Sequence, residues 1–393
     1  MSQTALPLRQ RVPVAVRMAL FYGVSFLSMG VSVPYWPVWL ADRGLSPQQI
    51  STVVAAGMIL RILANPVVGR LADARGARRS ILMVLAWATF GVTALYLGTW
   101  SFWSILCVGL LANLIFPALI SLTENTGVLA AYQRGYDYGR VRLWGSVAFV
   151  GATLGAGALL PHYGPPVVLW LMLAGMGATA LLAWLLPEVR SPPTVHRKGS
   201  MARFLRDPVF LLFLAATSLL NASHGVFYTF GALHWGAVGI SPTWIGVLWS
   251  EGVVAEIALF AFSGRVVGAL GPVRMIILGA AAGVLRWTLT GVSDALPMLM
   301  LVQALHALTF GFCHLGAMHF IARAAPPDLT ATAQGLYAAI GTGLVVALVT
   351  AGAGPLYAAV GGQAYLAMAG LCGLATLAAL GLRARWQGGV LDV

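Results

Sequence analysis

Six ionisable side chains interrupt otherwise apolar stretches of the chain: Arg61, Glu124, Arg142, Glu251, Glu256 and Arg286. A charge at the centre of a membrane helix costs roughly 2.5–3.5 kcal/mol on insertion scales. The signs balance, three acids against three arginines, which predicts a paired network around a polar interior. Such groups can hold a polar solute, pass a proton, or act as buried structural pairs. Glu251 and Glu256 are five residues apart, about 140° around a helix, so they cannot share one narrow face. Glu256 is the one expected to face the interior. Histidine adds groups that change charge near neutral pH. His224 and His234 lie in one apolar stretch, and His306, His314 and His319 in another.

Aromatic residues follow the same faces. Tyr22, Ser25, Met29, Ser32 and Trp36 keep three–four spacing, as do Asn221, His224 and Tyr228, so each set makes a helical stripe. Trp144, Trp249, Trp287 and Tyr337 accompany the charged positions. Stripes of this kind serve packing or interfacial anchoring more often than ligand contact. An arginine for a carboxylate and rings for an apolar body would suit an aromatic acid. No His-Glu-x-x-His pattern and no phosphate-binding Gly-x-x-x-x-Gly-Lys-Ser/Thr loop occurs, so neither a metal nor an ATP-driven motor is expected. Cys107, Cys313 and Cys372 sit in apolar spans, where they behave as small hydrophobes.

The elements that must position these residues are membrane helices. Of the 393 residues, 59% are hydrophobic and only 9% charged, and the mean hydropathy is +0.86. A soluble domain that poor in charge would lack a solvated surface. Twelve spans can be drawn: 15–40, 47–69, 79–98, 102–130, 138–160, 165–186, 208–236, 242–263, 272–291, 295–322, 328–358 and 363–383. Each is near the roughly 20 residues that cross a bilayer. Helix is the expected form because backbone groups in hydrocarbon must be paired within their own segment. The apolar run after Arg9, Arg11 and Arg17 has no small-residue cleavage site and reads as a retained first helix. The polar segment 187–207, with Pro192, Pro193, Arg197 and Lys198, has linker composition. It separates an N-terminal bundle, 1–186, from a C-terminal one, 208–393.

Residues 44–79 return at 239–274. Gly44, Ser46, Pro47, Ile50, Gly57, Gly69, Arg70, Gly76 and Arg79 recur, at one constant offset, as Gly239, Ser241, Pro242, Ile245, Gly252, Gly264, Arg265, Gly271 and Arg274. Arg61 and Glu256 are equivalent positions in the two copies. Two like-oriented halves of membrane helices predict a transporter with its substrate between them. Arginine and lysine concentrate in alternate loops, with Arg43 the exception, so both termini and the linker are expected in the cytoplasm. The net charge of +12 thus has a topological cause, and no basic face for nucleic acid is expected.

The turn Gly69-Arg-Leu-Ala-Asp73-Ala-Arg75-Gly76-Ala-Arg78-Arg79 resembles the loop between the second and third helices of the major facilitator superfamily. In that family it is a gating loop, which implies such a role for Gly69, Asp73, Gly76 and Arg78. The second copy has Gly268 in place of the acid. A narrower resemblance rests on Asp137-Tyr-Gly-Arg-Val-Arg142-Leu-Trp144-Gly, Leu248-Trp249-Ser-Glu-Gly-Val-Val-Ala-Glu256, Val284-Leu-Arg286-Trp287, Leu305-His306 and Cys313-His314-Leu. These are similar to the 3-phenylpropionate permease family, relatives of lactose permease.

That resemblance implies a twelve-helix major facilitator fold of two pseudo-symmetric six-helix bundles. It also implies a proton-driven symporter in the bacterial inner membrane that works without a cofactor and as a monomer. Glu124 and Arg142 would hold the substrate, with Tyr22, Trp36, Trp144, Asn221, His224, Tyr228, Trp249 and Tyr337 lining its site. Glu256, Arg286, His306 and His314 would serve proton coupling. The fold would also set Glu256 beside Arg142. Thr309 stands where lactose permease carries a further carboxylate. The expected solute is an aromatic or aryl-alkyl carboxylate. A neutral sugar or nucleoside, an exporter, or a non-transporting solute sensor are the alternatives.

Overall fold

The computed structural model describes residues 12–75, 78–189 and 201–393, with the backbone alone for 63–75. Every regular element among the described residues is helical, as hydrocarbon demands of a chain that must satisfy its own backbone. The first six long helices are α1 (Val14–Asp42), α2 (Pro47–Arg75), α3 (Arg78–Leu95), α4 (Phe102–Arg134), α5 (Tyr138–Tyr163) and α6 (Pro166–Leu182). A helical turn at Met201–Phe204 precedes α7, which comprises Pro208–Ala222 and Gly225–Ala237. Then come α8 (Pro242–Ala261), a short helix at Ser263–Leu270, and α9 (Pro272–Val292). In α10, the segments Leu296–Ala304 and Cys313–Ala324 flank a π-helical stretch, Ala307–Phe312. In α11, Thr330–Leu336 and Val345–Val360 flank another, Tyr337–Leu344, and α12 spans Ala364–Arg385.

Each of the twelve expected spans coincides with one of these helices. Ten stretches among the described residues are long and apolar enough to cross a membrane, and one of them, Thr330–Arg385, contains both α11 and α12. The protein is a multi-pass membrane protein. The seventh span departs from expectation. It is not one continuous helix but breaks at Ser223–His224.

The sequence repeat is a repeat of turns. Gly44 and Gly239 both take positive φ, 80° and 92°, a region closed to residues with a Cβ except at a cost. In the first turn, the amides of Gly44 and Leu45 donate to the carbonyls of Ala41 and Leu40. In the second, those of Gly239 and Ile240 donate to Gly236 and Trp235. Both are Schellman caps, residue for residue. The Ser-Pro pair that follows starts the next helix. Ser46 and Gln49 form a reciprocal capping box, and Ser241 accepts from the amide of Trp244. Proline takes the first helical position, where no donor is lost.

The described residues separate into two compact units, 12–39 with 63–189, and 40–62 with 201–393. In the first, Met18, Phe21, Tyr22 and Phe26 of α1 pack against Leu82 and Ala86 of α3, Leu119 and Leu122 of α4, and Ala180 of α6. In the second, Phe210 and Phe213 of α7 pack with Ile276, Phe320, Tyr337 and Leu382. The Phe213 and Phe320 rings stack with centroids 4.3 Å apart. Lipid tails are as apolar as these side chains, so close fit and polar pairing hold the helices together.

The stretch of α2 up to Ile62 belongs to the second unit, where it lies along α11. Ser51 donates to the carbonyl of Ala351 at 3.2 Å, and Gly343 approaches Ile62 closely. A Cβ on Gly354 would collide with Ser51 and lie 2.6 Å from the carbonyl of Pro47, whereas one on Gly352 would meet nothing within 4 Å. Overpacking a tight contact costs about 1–3 kcal/mol. Gly354→Leu is therefore expected to lower the thermal unfolding midpoint of the purified protein, and Gly352→Leu to leave it in place. Equal midpoints for the two variants would refute the close α2–α11 approach.

Candidate functional site

Two polar clusters are built inside the apolar helices, one in each unit. The first joins α1, α4 and α5. Arg142 donates through Nε to Glu124 Oε1 at 2.6 Å, and both side chains keep roughly a third of their surface open, 29% and 30%. The Tyr138 hydroxyl donates to the other carboxylate oxygen of Glu124. The Tyr22 hydroxyl lies 3.4 Å from that same oxygen and 3.3 Å from the Thr123 carbonyl. The Arg142 guanidinium sits 4.2 Å from the centroid of the Phe26 ring and 5.6 Å from that of Tyr22, a cation–π arrangement. The pair thus forms a neutral, hydrogen-bonded floor with aromatic walls.

The second cluster joins α7, α8, α9 and α10 around Arg286, which is fully buried. Its Nη1 donates to Thr309 Oγ1 at 2.9 Å and to His306 Nδ1 at 3.0 Å, and its Nη2 donates to Gln303 Oε1 at 2.7 Å. The guanidinium also lies 4.3 Å from the Trp287 ring centroid. A guanidinium only donates, so Nδ1 of His306 accepts and its ring proton sits on Nε2. That nitrogen faces Glu256 Oε2 at 4.0 Å. His224 is set the other way round. Its Nδ1 faces the Leu220 carbonyl at 3.2 Å, which leaves Nε2 to accept from Thr309 at 3.2 Å. Buried arginine, hydroxyl and two imidazoles make a chain that ends at a carboxylate, and a proton arriving at Glu256 or His306 would alter its pairing.

The local backbone departs from regular helix where these groups converge. α7 breaks at Ser223–His224, and the freed Ser223 hydroxyl accepts from the Trp287 indole at 3.0 Å. The π-helical stretch of α10 starts directly after His306, and that of α11 starts at Tyr337. Such stretches re-aim side chains and occur often at functional sites.

The remaining expected residues divide clearly. Asn221 donates toward the Tyr337 hydroxyl at 3.4 Å and the Cys313 sulfur at 3.5 Å. Tyr228 stacks on His224, and Trp249 stacks on Phe227 at 4.3 Å. Three positions fall elsewhere. Trp36 stacks on Trp39 at 4.6 Å and abuts Tyr96; it lies about 15 Å along α1 from Phe26 by helical rise, so it packs rather than joining Glu124. Trp144 is exposed and, two residues from Arg142, points about 200° around α5. His314 is exposed among Phe260 and Phe310 and outside the Arg286 cluster.

Within the first unit Arg142 has Glu124 as a partner, and within the second Glu256 approaches His306. Glu251, expected to be the less central acid, has a buried Oε2 with no hydrogen-bond partner among the described residues. His234 pairs with Asp294 at 3.0 Å and with the Tyr357 hydroxyl. Of the residues expected to form a gating loop, Gly69 and Asp73 lie on the stretch of α2 described by its backbone alone, and Gly76 lies outside the described residues. Arg78 is buried at the start of α3. Sequence reasoning missed Phe26, Tyr138 and Gln303. Tyr138 and Arg142 are four apart, as are Tyr22 and Phe26, and Gln303, His306 and Thr309 recur every third residue, so helical spacing carried the signal for all three.

Residues 15–367 match the profile of the MFS_1 like family. A probable 3-phenylpropionic acid transporter of Escherichia coli K12 is 36% identical over 337 residues, which cover 84% of this chain and 88% of that protein. The chain belongs to the major facilitator superfamily. This is a family of transporters rather than enzymes. Maltose permease of Geobacillus stearothermophilus is 27% identical over 330 residues, 83% of each protein. Among solved structures, that of the nucleoside transporter NupG superposes with a TM-score of 0.84 at 14% identity, over 96% of this chain and 100% of that one. This likeness bears on the fold alone.

Within this facilitator fold, the Glu124–Arg142 pair is expected to be energetically coupled. In a thermal-unfolding double-mutant cycle, Glu124→Gln and Arg142→Gln should each destabilise. The double variant should recover about 1–3 kcal/mol relative to additivity, because neither charge is then left alone. Strictly additive effects would show that the two groups do not support each other.

Proposed function

We propose that this protein is a proton-coupled importer of a small organic solute, an aromatic or aryl-alkyl carboxylate, working by alternating access. The observation that carries the proton coupling is the buried Arg286–His306–Glu256 chain. A carboxylate beside an imidazole whose far nitrogen is fixed by a guanidinium can accept a proton and release the chain from its present pairing. A gradient drives uptake only where proton and solute affinities differ between the two access states. A titratable group tied to a network on several helices supplies that difference.

The solute class draws on the first cluster and on a relative. Arg142 and Glu124, roofed by Tyr22, Phe26 and Tyr138, combine polar groups with rings suited to an aryl body. The Escherichia coli relative is described as a probable 3-phenylpropionic acid transporter. A second reading has its own support. Because Glu124 already matches Arg142, the pair could serve hydroxyls of a neutral solute, and one relative is a maltose permease.

The halves 1–186 and 208–393, joined by a cytoplasmic linker at 187–207, are taken to be the moving bodies. Both termini would face the cytoplasm of a bacterial inner membrane. One copy would suffice for transport, with no cofactor. In proteoliposomes with an inward proton gradient, accumulation of 3-phenylpropanoate is expected and should collapse when a protonophore is added. Accumulation unaffected by the protonophore would remove the symport mechanism.

A further inference from the structure

Arg61, Arg142 and Arg286 interrupt apolar stretches of the helices, and they differ in what remains open to a ligand. Arg142 is neutralised by Glu124. Arg286 has no exposed surface and is enclosed by Gln303, His306 and Thr309. Arg61 is only partly buried, and among the described residues it has neither a hydrogen bond nor an ion pair. It sits midway along α2, about 20 Å of helix from either end.

The backbone carrying Arg61 is nevertheless held firmly. Ser51, three turns earlier, is bonded to Ala351, and the next residue, Ile62, packs against Gly343 in the π-helical stretch of α11. The helix is fixed while the guanidinium is uncommitted. We propose that Arg61 is the anchor for the carboxylate of the transported solute. Its planar fork matches a carboxylate with two parallel hydrogen bonds. Arg142, with its charge already matched by Glu124, does not neutralise a carboxylate. This assignment rests on the reading of the solute as an organic anion, and it explains how a chain whose Arg142 is occupied can still select one. The rival role is structural, with Arg61 reserved for Glu251, whose Oε2 is buried without a hydrogen-bond partner among the described residues.

The test uses the intact purified protein with 3-phenylpropanoate and its neutral amide. The unmodified protein should prefer the carboxylate. Arg61→Gln should lose roughly 10- to 100-fold in carboxylate affinity, as expected for a charged hydrogen-bonded contact, with amide affinity unchanged. Arg61→Lys should fall between the two, keeping the charge without the fork. A measurement free of any folding defect is arginine labelling of the unmodified protein with phenylglyoxal, read by mass spectrometry. The carboxylate should shield Arg61 and the amide should not. Unchanged carboxylate affinity in Arg61→Gln would overturn the assignment while leaving the transported class standing, as would equal loss for both ligands or labelling indifferent to the carboxylate. Binding of neither ligand by the unmodified protein would overturn the carboxylate reading itself, and the anchor with it.

Discussion

A guanidinium in hydrocarbon has to be matched by an acid, wrapped in acceptors, or left for something that arrives later. Lacking water, it cannot simply be solvated, and it cannot shed its proton. The three intramembrane arginines take these three courses. Arg142 is matched by Glu124 on the neighbouring helix. Arg286 is wrapped by a hydroxyl, an amide oxygen and an imidazole nitrogen, with Trp287 beneath it. Arg61 is left open. The arrangement of α1, α4 and α5 in one unit, and of α7 to α10 in the other, follows from the need to bring acceptors to the first two.

Wrapping an arginine with neutral groups is geometrically harder than pairing it with one acid, and the backbone of the second unit shows the consequence. Acceptors from α10 must come from positions 303, 306 and 309, which a regular helix sets about 60° apart in steps of three residues. The π-helical stretch directly after His306 changes that register. On α7, the break at Ser223–His224 turns an imidazole toward Thr309 and frees a serine hydroxyl for Trp287. In lipid such a break is tolerated only where neighbouring side chains take up the loose polar groups. Here the same cluster that needs the irregular backbone also satisfies it.

Much of this was legible in the sequence. Twelve spans and the Ser-Pro helix starts follow from apolar length and capping chemistry, and each is local. The repeat predicted equivalent turns, and Gly44 and Gly239 close the same cap. Glu124 and Arg142 could be matched because membrane charges are few and costly. The aromatic residues were read less well. Trp144 and Trp36 were grouped with the charges by proximity in sequence or by a stripe, yet two residues of helix reverse a side chain's direction and ten carry it about 15 Å away. Uncharged polar residues such as Gln303 carry no alarm in a composition scan. The break in α7 and the π-helical stretches were invisible because no proline or run of glycines marks them; tertiary pairing imposes them.

The repeat also frames how anion and proton could be separated. Arg61 and Glu256 are equivalent positions in the two copies, so the fold gives them similar helical settings and the sequence gives them opposite charge. Had both been acids, the repeat would offer two proton sites and no attraction for an anion; with two arginines, it would offer no proton acceptor in this register. The opposite pair would supply one of each. Glu256 is already linked through His306 to Arg286, so protonation there acts on a network spanning several helices. Among the described residues Arg61 has no such tie, so an anion meeting it would gain the full interaction without first breaking a resident pair. An anchor that had to be released before use would weaken binding by the strength of the bond given up, and the open arginine avoids that penalty.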